Sequence, residues 1–281
     1  MKDQICIVTG ANSGIGKVTA RELASKGARV IMVCRNKDKG LAALQDIKTE
    51  SQSDKVELII ADLASQQEIR FLAEKLRKKF PEIHILINNA GAVNGQRTET
   101  VDKIETTFAT NHLGYFLFTM LLLDNLKAAP KARIINLASE AQKSGQINFD
   151  DLNLKNGYSS YKSYCQSKLA NIMFTYELAH RLKSTQVTVN CVHPGVVRTG
   201  FGMNLKGTLK VLLKLFSPLM RTPEKGAETV VWLASSPEVE GITGKYFTDK
   251  KEIKSKPVSY DLQACKQLWE VSETMTGMGK I

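Results

Sequence analysis

"TGANSGIG" occupies residues 9–16, between an apolar run, "QICIVTG", and a stretch with helical periodicity, "GKVTARELASKG". This order predicts a buried strand, a glycine-rich turn and a helix. Gly10, Gly14 and Gly16 let the backbone turn tightly and approach a diphosphate, and the start of the helix offers it unpaired N–H groups. The place of the glycines at the first strand-to-helix turn predicts a dinucleotide-binding loop. The alternative is a tight turn that only packs the helix on the strand.

Predicted strands and helices alternate along the rest of the chain. The strands are continuous apolar runs such as "ARVIMVC", which is typical of strands covered by helices on both faces. The fold class is therefore α/β: a doubly wound (Rossmann) sheet of about seven parallel strands with helices on both faces. Long helices are predicted at about Thr98–Ala128 and about Tyr161–Leu182, and residues 261–275 are predicted to be weakly helical.

No Pro- or Ser-rich linker interrupts this alternation, which predicts one domain over residues 1–281. Residues 1–135 are expected to form mainly the cofactor half, and residues 136–250 the catalytic and substrate half. Residues 251–281 are expected to be a C-terminal tail.

The composition limits the classes of partner. The net charge is +11, but the Lys and Arg residues are scattered without interleaved aromatic residues, which argues against nucleic acid. An anionic cofactor or an anionic membrane surface explains the charge equally well. The five cysteines include no CxxC pair and no His-containing cluster at metal spacing, so we expect buried free thiols and no metal. No signal peptide or membrane-spanning run is predicted, which favours a cytoplasmic protein, with peripheral membrane association as the alternative.

The end of the second predicted strand bears on cofactor choice. An NAD-specific site usually has a carboxylate there for the ribose hydroxyls. Here Cys34 stands 18 residues after Gly16, and Arg35 follows it. A guanidinium at this place suits a 2′-phosphate, so the sequence favours NADP(H) over NAD(H). The alternatives are a solvated surface arginine and Asp38 as the ribose-binding acid.

A YxxxK pattern occurs twice, as Tyr158–Lys162 and Tyr164–Lys168. Four-residue spacing on a helix places an ammonium beside a phenol, a pair suited to acid–base chemistry. A sustained helical pattern, "LANIMFTYELAHRL", follows the second pair, whereas the first lies in a Gly/Ser-rich stretch. We therefore assign Tyr164 and Lys168 as the catalytic pair and expect Tyr158 and Tyr161 to be rim or packing residues.

The chain resembles the classical short-chain dehydrogenases/reductases over almost its whole length. Six motifs occur in the family's order: "TGANSGIG", "NNAG" (88–91), "NHLG" (111–114), Ser139 after a strand, "YCQSK" (164–168) and "HPGVVRT" (193–199). The phrases "GIGKVTARELASKGARV", "YCQSKLAN" and "VHPGVVRT" look like the retinol dehydrogenase branch. That branch includes NADP(H)-linked reductases of retinal and other apolar aldehydes and ketones.

The resemblance implies a catalytic tetrad of Asn111, Ser139, Tyr164 and Lys168. Tyr164 would exchange a proton with the carbonyl or alcohol oxygen, favoured as the phenolate by Lys168, and Ser139 would hold the same oxygen. Lys168 would also bind the nicotinamide ribose, and Asn111 would sit in a kinked helix. From spacing alone, Asn111 reads as a locally satisfied helix residue and Ser139 as a cap at the end of a strand.

The same resemblance supplies the cofactor contacts. Asp62 would meet the adenine amino group, and the backbone after the fourth strand would line the adenine ribose. The turn after the sixth strand would hold the carboxamide. The full expected set is Gly10, Asn12, Ser13, Gly14, Ile15, Gly16, Arg35, Asp62, Leu63, Asn89, Ala90, Gly91, Tyr164, Lys168, Pro194, Gly195, Val197 and Thr199.

Residues 201–221 follow that turn and combine an apolar stripe with basic residues, Arg221 among them. The favoured interpretation is a lid over a pocket for a hydrophobic carbonyl or alcohol; the alternative is a basic amphipathic segment lying on a membrane. A homodimer through the helices containing "YFLFTMLLL" and "NIMFTYELA" is a further expectation, although core contacts would give the same pattern.

The sequence therefore predicts an NADP(H)-dependent oxidoreductase that transfers hydride between nicotinamide and a hydrophobic carbonyl or alcohol. Two alternatives remain. One is a non-catalytic NADP(H)-binding regulator or scaffold, against which the four tetrad residues argue. The other is an enzyme similar to protochlorophyllide reductase, whose "YKDSK" wording is absent.

Overall fold

A computed structural model describes residues 1–198 and 220–279. One sheet runs through these residues, with strand order β3-β2-β1-β4-β5-β6-β7-β8. The strands are β1 Ile5–Thr9, β2 Arg29–Cys34, β3 Val56–Ile60, β4 Ile85–Asn88, β5 Ala132–Leu137, β6 Val187–Val192, β7 Lys245–Thr248 and β8 Lys251–Glu252. The first seven are parallel and β8 pairs antiparallel with β7, so the doubly wound fold is confirmed with one short strand more than the sequence predicts.

The helices that cover the sheet are α1 Gly14–Ser25, α2 Lys37–Ser51, α3 Gln66–Lys79, α4 Thr106–Phe108, α5 Gly114–Leu121, α6 Leu123–Ala128, α7 Ser160–Arg181, α8 Pro223–Ser235 and α9 Leu262–Thr276. A π-helical turn, Ala109–Leu113, joins α4 to α5, and 3₁₀ turns span Glu140–Ser144, Pro237–Val239 and Pro257–Tyr260.

Alternate strand residues feed two cores, one on each face of the sheet. Ile7 packs in the core with α3, α5 and α7, while its neighbours Cys6 and Val8 pack in the core with α1, α2 and α8. Burial on both faces explains why the strands read as unbroken apolar runs. All five cysteines are buried and free, as the sequence predicts.

The predicted long helix at Thr98–Ala128 is wrong in its first part. Residues 98–105 form a loop closed by a bridge between Glu99 and Glu105, and helical structure begins at Thr106. Within this loop Val101 is 79% exposed, and burial begins only at Ile104 and Glu105, next to the helix start. The Glu105 carboxylate accepts hydrogen bonds from the amides of Thr107 and Phe108 and so fixes the helix start.

The C-terminal tail is also more ordered than the sequence suggested. α9 begins at an Asp261 cap and ends at Gly277, which has φ 60°. Its buried residues include Cys265, Leu268 and Trp269. The last described helix is therefore part of the core.

Among the described residues, no helix combines the length and the apolar character needed to cross a bilayer.

Candidate active site

The predicted site residues gather at one edge of the sheet. Each group follows the carboxyl end of a parallel strand or lies on a helix that reaches that end, which is where open α/β sheets bind ligands. The glycine loop follows β1, Arg35 follows β2, and Asp62 and Leu63 follow β3. Asn89, Ala90 and Gly91 follow β4; Ser139 follows β5; Pro194, Gly195 and Val197 follow β6. Thr199 lies outside the described residues.

The glycine loop has no room for side chains at two of its positions. A Cβ on Gly16 would lie 2.4 Å from the Gly10 carbonyl oxygen and 2.4 Å from Asn89 Nδ2. A Cβ on Gly10, where φ is +66°, would lie 2.8 Å from Ala90 Cα. The loop is therefore pressed against the chain after β4, which leaves its outer backbone open to a ligand.

Two polar side chains brace this contact, and one of them, Thr9, is missing from the predicted set. Asn89 Nδ2 donates to the Thr9 carbonyl at 2.7 Å. Thr9 Oγ1 accepts from the amides of Asn89 and Ala90. Ser13 precedes α1, and its side chain makes no cap hydrogen bond. The first backbone amides of α1 are therefore not occupied by the Ser13 side chain. Thr9 is the first residue of the glycine motif, and this position could have identified it as a site residue. These features fit a dinucleotide diphosphate.

Arg35 extends into solvent beside the loop. Its side chain is 66% exposed and stands 3.8 Å from a carboxylate oxygen of Asp62, a weak surface ion pair. The other oxygen of Asp62 accepts from the Ala64 amide at 2.9 Å. Asp38, the rival acid, lies in the first turn of α2. Among the described residues, the carboxylate paired with this guanidinium is thus that of Asp62, and the pair is weak.

Asn111 occupies the middle of the π-helical turn, where the sequence resemblance predicts a kink. Its side chain is bonded to other elements and not to its own helix. Oδ1 accepts from the Ala92 amide at 2.7 Å, and Nδ2 donates to the Ala92 carbonyl and to Ser167 Oγ, both at 3.0 Å. Asn111 therefore ties the chain after β4 to α7, the helix that carries Tyr164 and Lys168.

Ser139 and Tyr164 meet at the centre of the site. A hydrogen bond between their side chains lowers the pKa of Tyr164, but burial outweighs it and raises the pKa to about 12. Ser139 Oγ also accepts from the Ala141 amide at 3.3 Å, so it caps the following 3₁₀ turn as well. The net effect of these protein groups is therefore to favour the protonated form of Tyr164.

Lys168 is 4% exposed and lies one turn after Tyr164. Nζ donates to the Leu137 carbonyl at 3.0 Å and stands 5.7 Å from the centre of the Tyr164 ring. Burial lowers the pKa of Lys168 to about 7. Asn171 shares the Leu137 carbonyl at 3.1 Å.

Tyr115 was a further omission from the predicted set. Its ring lies 5.8 Å from Lys168 Nζ, and its hydroxyl donates to the Ala90 carbonyl at 2.8 Å. Tyr115 lies four residues after Asn111, and Asn171 lies three after Lys168. Helical spacing from the predicted site residues Asn111 and Lys168 was the available signal for both.

The duplicate pair lies apart from this chemistry. Tyr158 precedes α7, as predicted, and its hydroxyl donates to the Asn94 carbonyl at 2.9 Å. Tyr161 is 59% exposed, with its hydroxyl 3.1 Å from Ser144 Oγ. Tyr158 thus fastens the start of α7 to the loop after β4.

The turn after β6 is closed by Arg221. A Cβ on Gly195, where φ is +86°, would lie 2.5 Å from Arg221 Cδ. Arg221 forms a two-pronged ion pair with Asp249, at 2.5 and 2.9 Å. Residues 201–219 of the predicted lid lie outside the described residues. Of its last two residues, Arg221 forms the ion pair with Asp249.

A family model described as short chain dehydrogenase matches residues 4–210. With the sheet order and the clustered Asn111, Ser139, Tyr164 and Lys168, this match defines the class. The chain belongs to the short-chain dehydrogenase family, whose enzymes use NAD(H) or NADP(H), and it is an oxidoreductase acting on CH–OH and C=O groups.

The chain is also similar to individual proteins of known name or structure. Human retinol dehydrogenase 14 is 43% identical over 296 residues, covering 100% of this chain and 88% of the relative. Human retinol dehydrogenase 13 is 43% identical over 278 residues, covering 97% and 84%. The crystal structure of an uncharacterized protein from Mycobacterium paratuberculosis matches with a TM-score of 0.81 and 31% identity, covering 98% of this chain and 94% of that one. The chain is thus similar to retinol dehydrogenases over its full length.

Proposed function

We propose that the protein is an NADP(H)-dependent enzyme that interconverts a hydrophobic aldehyde or ketone and its alcohol. The observation that carries this proposal is the hydrogen bond between Ser139 and Tyr164, with buried Lys168 one turn away on the same helix and the glycine loop at the same edge of the sheet. Bound NADP(H) would supply the hydride for reduction or accept it for oxidation.

Tyr164 would move the proton. Its hydroxyl gives a proton to the carbonyl oxygen during reduction and takes one from the alcohol during oxidation. Burial raises its pKa to about 12 and so further favours the acid form, which is the form that reduction needs. Ser139 would hold the same oxygen and orient the carbonyl carbon.

Lys168 would serve this proton transfer from one turn away. With a pKa near 7, its ammonium can lose and regain a proton close to neutral pH. When charged, it favours the phenolate left on Tyr164 after the proton has gone. Asn111 would hold α7 in place through Ser167.

The preference for NADP(H) rests on Arg35. Its exposed guanidinium follows β2, and the Gly10 amide donates to the Val33 carbonyl of that strand at 2.8 Å, so Arg35 lies near the glycine loop. A planar guanidinium binds a phosphate with two parallel hydrogen bonds. The 2′-phosphate of NADP(H) is the group that would use it.

The hydrophobic substrate is inferred from the relatives named retinol dehydrogenases. One exposed apolar residue, Val196, lies in the turn after β6 between Gly195 and Val197. An apolar side chain at this place suits a hydrophobic carbonyl better than a sugar.

A cytoplasmic location, peripheral membrane contact through residues 201–221 and a homodimer remain predictions from the sequence. The apolar residues of α5 that suggested the homodimer, Tyr115 to Phe118, are buried within one chain.

The proposal is tested by NADPH consumption with a panel of carbonyl compounds, from retinal and long aldehydes to small polar ketones. Tyr164→Phe removes the proton donor and should lower kcat about a hundredfold or more, with NADPH binding largely intact. Tyr158→Phe is the matched control, because it removes the hydroxyl of the other YxxxK pair. Unchanged activity in Tyr164→Phe would refute the catalytic assignment. NADPH binding without turnover of any compound would favour the non-catalytic regulator.

The cofactor preference is tested by Arg35→Asp. Loss of the guanidinium and gain of a carboxylate should raise the KM for NADPH about tenfold or more, because a charge-assisted phosphate contact is lost. NADH is the internal control, since it lacks the 2′-phosphate. Equal changes in KM for the two cofactors would exclude the proposed role of Arg35.

A further inference from the structure

The two groups that would hold the substrate oxygen come from different elements. Ser139 begins the 3₁₀ turn Glu140–Ser144, whereas Tyr164 lies on α7. Their spacing therefore depends on how the segment 139–145 rests on α7. The end of that segment touches the helix directly after Tyr164: a Cβ on Gly145 would lie 2.5 Å from the Cys165 carbonyl oxygen and 2.8 Å from Leu169 Cβ.

Lys256, from the C-terminal part of the chain, holds this segment at two points. Its Nζ donates to the Gly145 carbonyl at 2.6 Å. Its backbone amide donates to Oε1 of Gln142, a side chain that is 1% exposed, at 2.9 Å. The first bond is charge-assisted and so is stronger than a neutral one.

The residues around Lys256 are themselves fastened to α7. Ser255 Oγ lies 2.8 Å from the hydroxyl of Tyr176, which is three turns along α7 from Tyr164. The Ser255 amide donates to the Tyr260 hydroxyl at 3.0 Å, and the rings of Tyr176 and Tyr260 stack with centres 5.2 Å apart. The contacts form a closed circuit from α7 through Ser255 and Lys256 to Gly145 and back to α7.

We infer that Lys256 is a positioning residue that sets the distance between Ser139 and Tyr164 from outside the site. The inference rests on the proposed function for its catalytic consequence. Without the Nζ contact, the 3₁₀ segment keeps its sequence and its cap but loses the clamp that presses Gly145 onto α7. A shift of the segment would displace Ser139 and lower kcat, while the glycine loop at the other strands would be untouched.

The test compares Lys256→Met with Lys254→Met. Methionine keeps an unbranched side chain and removes the hydrogen-bond donor. Lys254, two residues before Lys256, is exposed and serves as the control. Amide hydrogen exchange of residues 139–146 should become about tenfold faster in Lys256→Met and stay at the wild-type rate in Lys254→Met. With the carbonyl that the wild type turns over best, kcat should fall about tenfold in Lys256→Met, with the Kd for NADPH unchanged. Lys256→Arg, which keeps a cationic donor, should restore most of the kcat.

Three results would overturn the inference: equal exchange rates in the two methionine variants, faster exchange with unchanged kcat, or a matching loss of NADPH affinity. Failure of the proposed function looks different, because the wild type itself would then turn over no carbonyl. The exchange comparison would still decide whether Lys256 clamps the segment.

Discussion

The ammonium of Lys168 is buried, and among the described residues it donates a hydrogen bond to the Leu137 carbonyl. Burying this charge lowers the stability of the folded state. Burial lowers its pKa from 10.5 to about 7, so the unfolded chain binds the proton more tightly than the folded one. Between those pH values the unfolded state carries more protons at this group, and the free energy of unfolding rises with pH. The stabilising difference is fully present above about 10.5 and is lost as pH falls through about 7.

This pH dependence can be isolated with Lys168→Met. In cofactor-free protein, wild type should gain on the order of 3 kcal/mol in free energy of unfolding relative to the variant between pH 7 and pH 10. Urea unfolding of both proteins at the two pH values measures it. The variant cancels the other groups that titrate in this range. Parallel changes in the two proteins would mean that Lys168 is charged to the same extent in the folded and unfolded states.

At the residue scale, the sequence separated the two YxxxK pairs because a long helical pattern follows only one of them. It also placed Asn111 and Ser139 by resemblance. Sequence reasoning missed Tyr115 and Asn171, whose contacts with the site depend on how helices meet in space. It also missed the raised pKa of Tyr164, because that shift follows from burial, which no short motif reveals.

At the scale of elements, the start of α4 shows how one side chain can override a periodic pattern. The buried Glu105 carboxylate receives two backbone amides and the Ser163 hydroxyl, the last at 2.7 Å. Ser163 immediately precedes Tyr164, so this carboxylate joins the helix of Asn111 to α7. The contact with Ser163, on a distant helix, cannot be read from local spacing.

The helix α9 is the second element that the sequence undervalued. Trp269 lies between α5 and α7, with its ring centre 5.0 Å from that of Phe116 and 5.9 Å from that of Phe174. The Arg181 guanidinium covers it at 4.1 Å, and its indole N–H donates to Glu273. These contacts supply the burial that turns a weakly helical sequence into a stable helix.

Trp269→Ala should therefore lower the free energy of unfolding by about 3 to 5 kcal/mol, because it leaves a large cavity between three helices. Leu262→Ala is the matched control on the same helix, since Leu262 is 70% exposed and should change stability little. Chemical denaturation of both variants gives the comparison. A loss as small for Trp269 as for Leu262 would show that α9 contributes little to the core.

At the scale of the whole molecule, the parallel sheet follows from the alternation of apolar runs and helical patterns. The place of the site follows from the sheet, because the carboxyl ends of parallel strands meet at one edge. Contacts made by the C-terminal part, such as the clamp of Lys256 on Gly145, do not follow from either. They join residues more than a hundred positions apart through side chains that no motif marks.

The packing of α9 on α5 and α7 bears on whether these two helices need a second copy of the chain to cover them. A face rich in Phe and Leu would need a second copy of the chain to keep it from water if nothing else covered it. Here the covering helix belongs to the same chain, with Trp269 against Phe116 and Phe174. Among the described residues, the contacts that α9 makes with the helix of Tyr164 and Lys168 thus lie within one chain and do not themselves require a second copy.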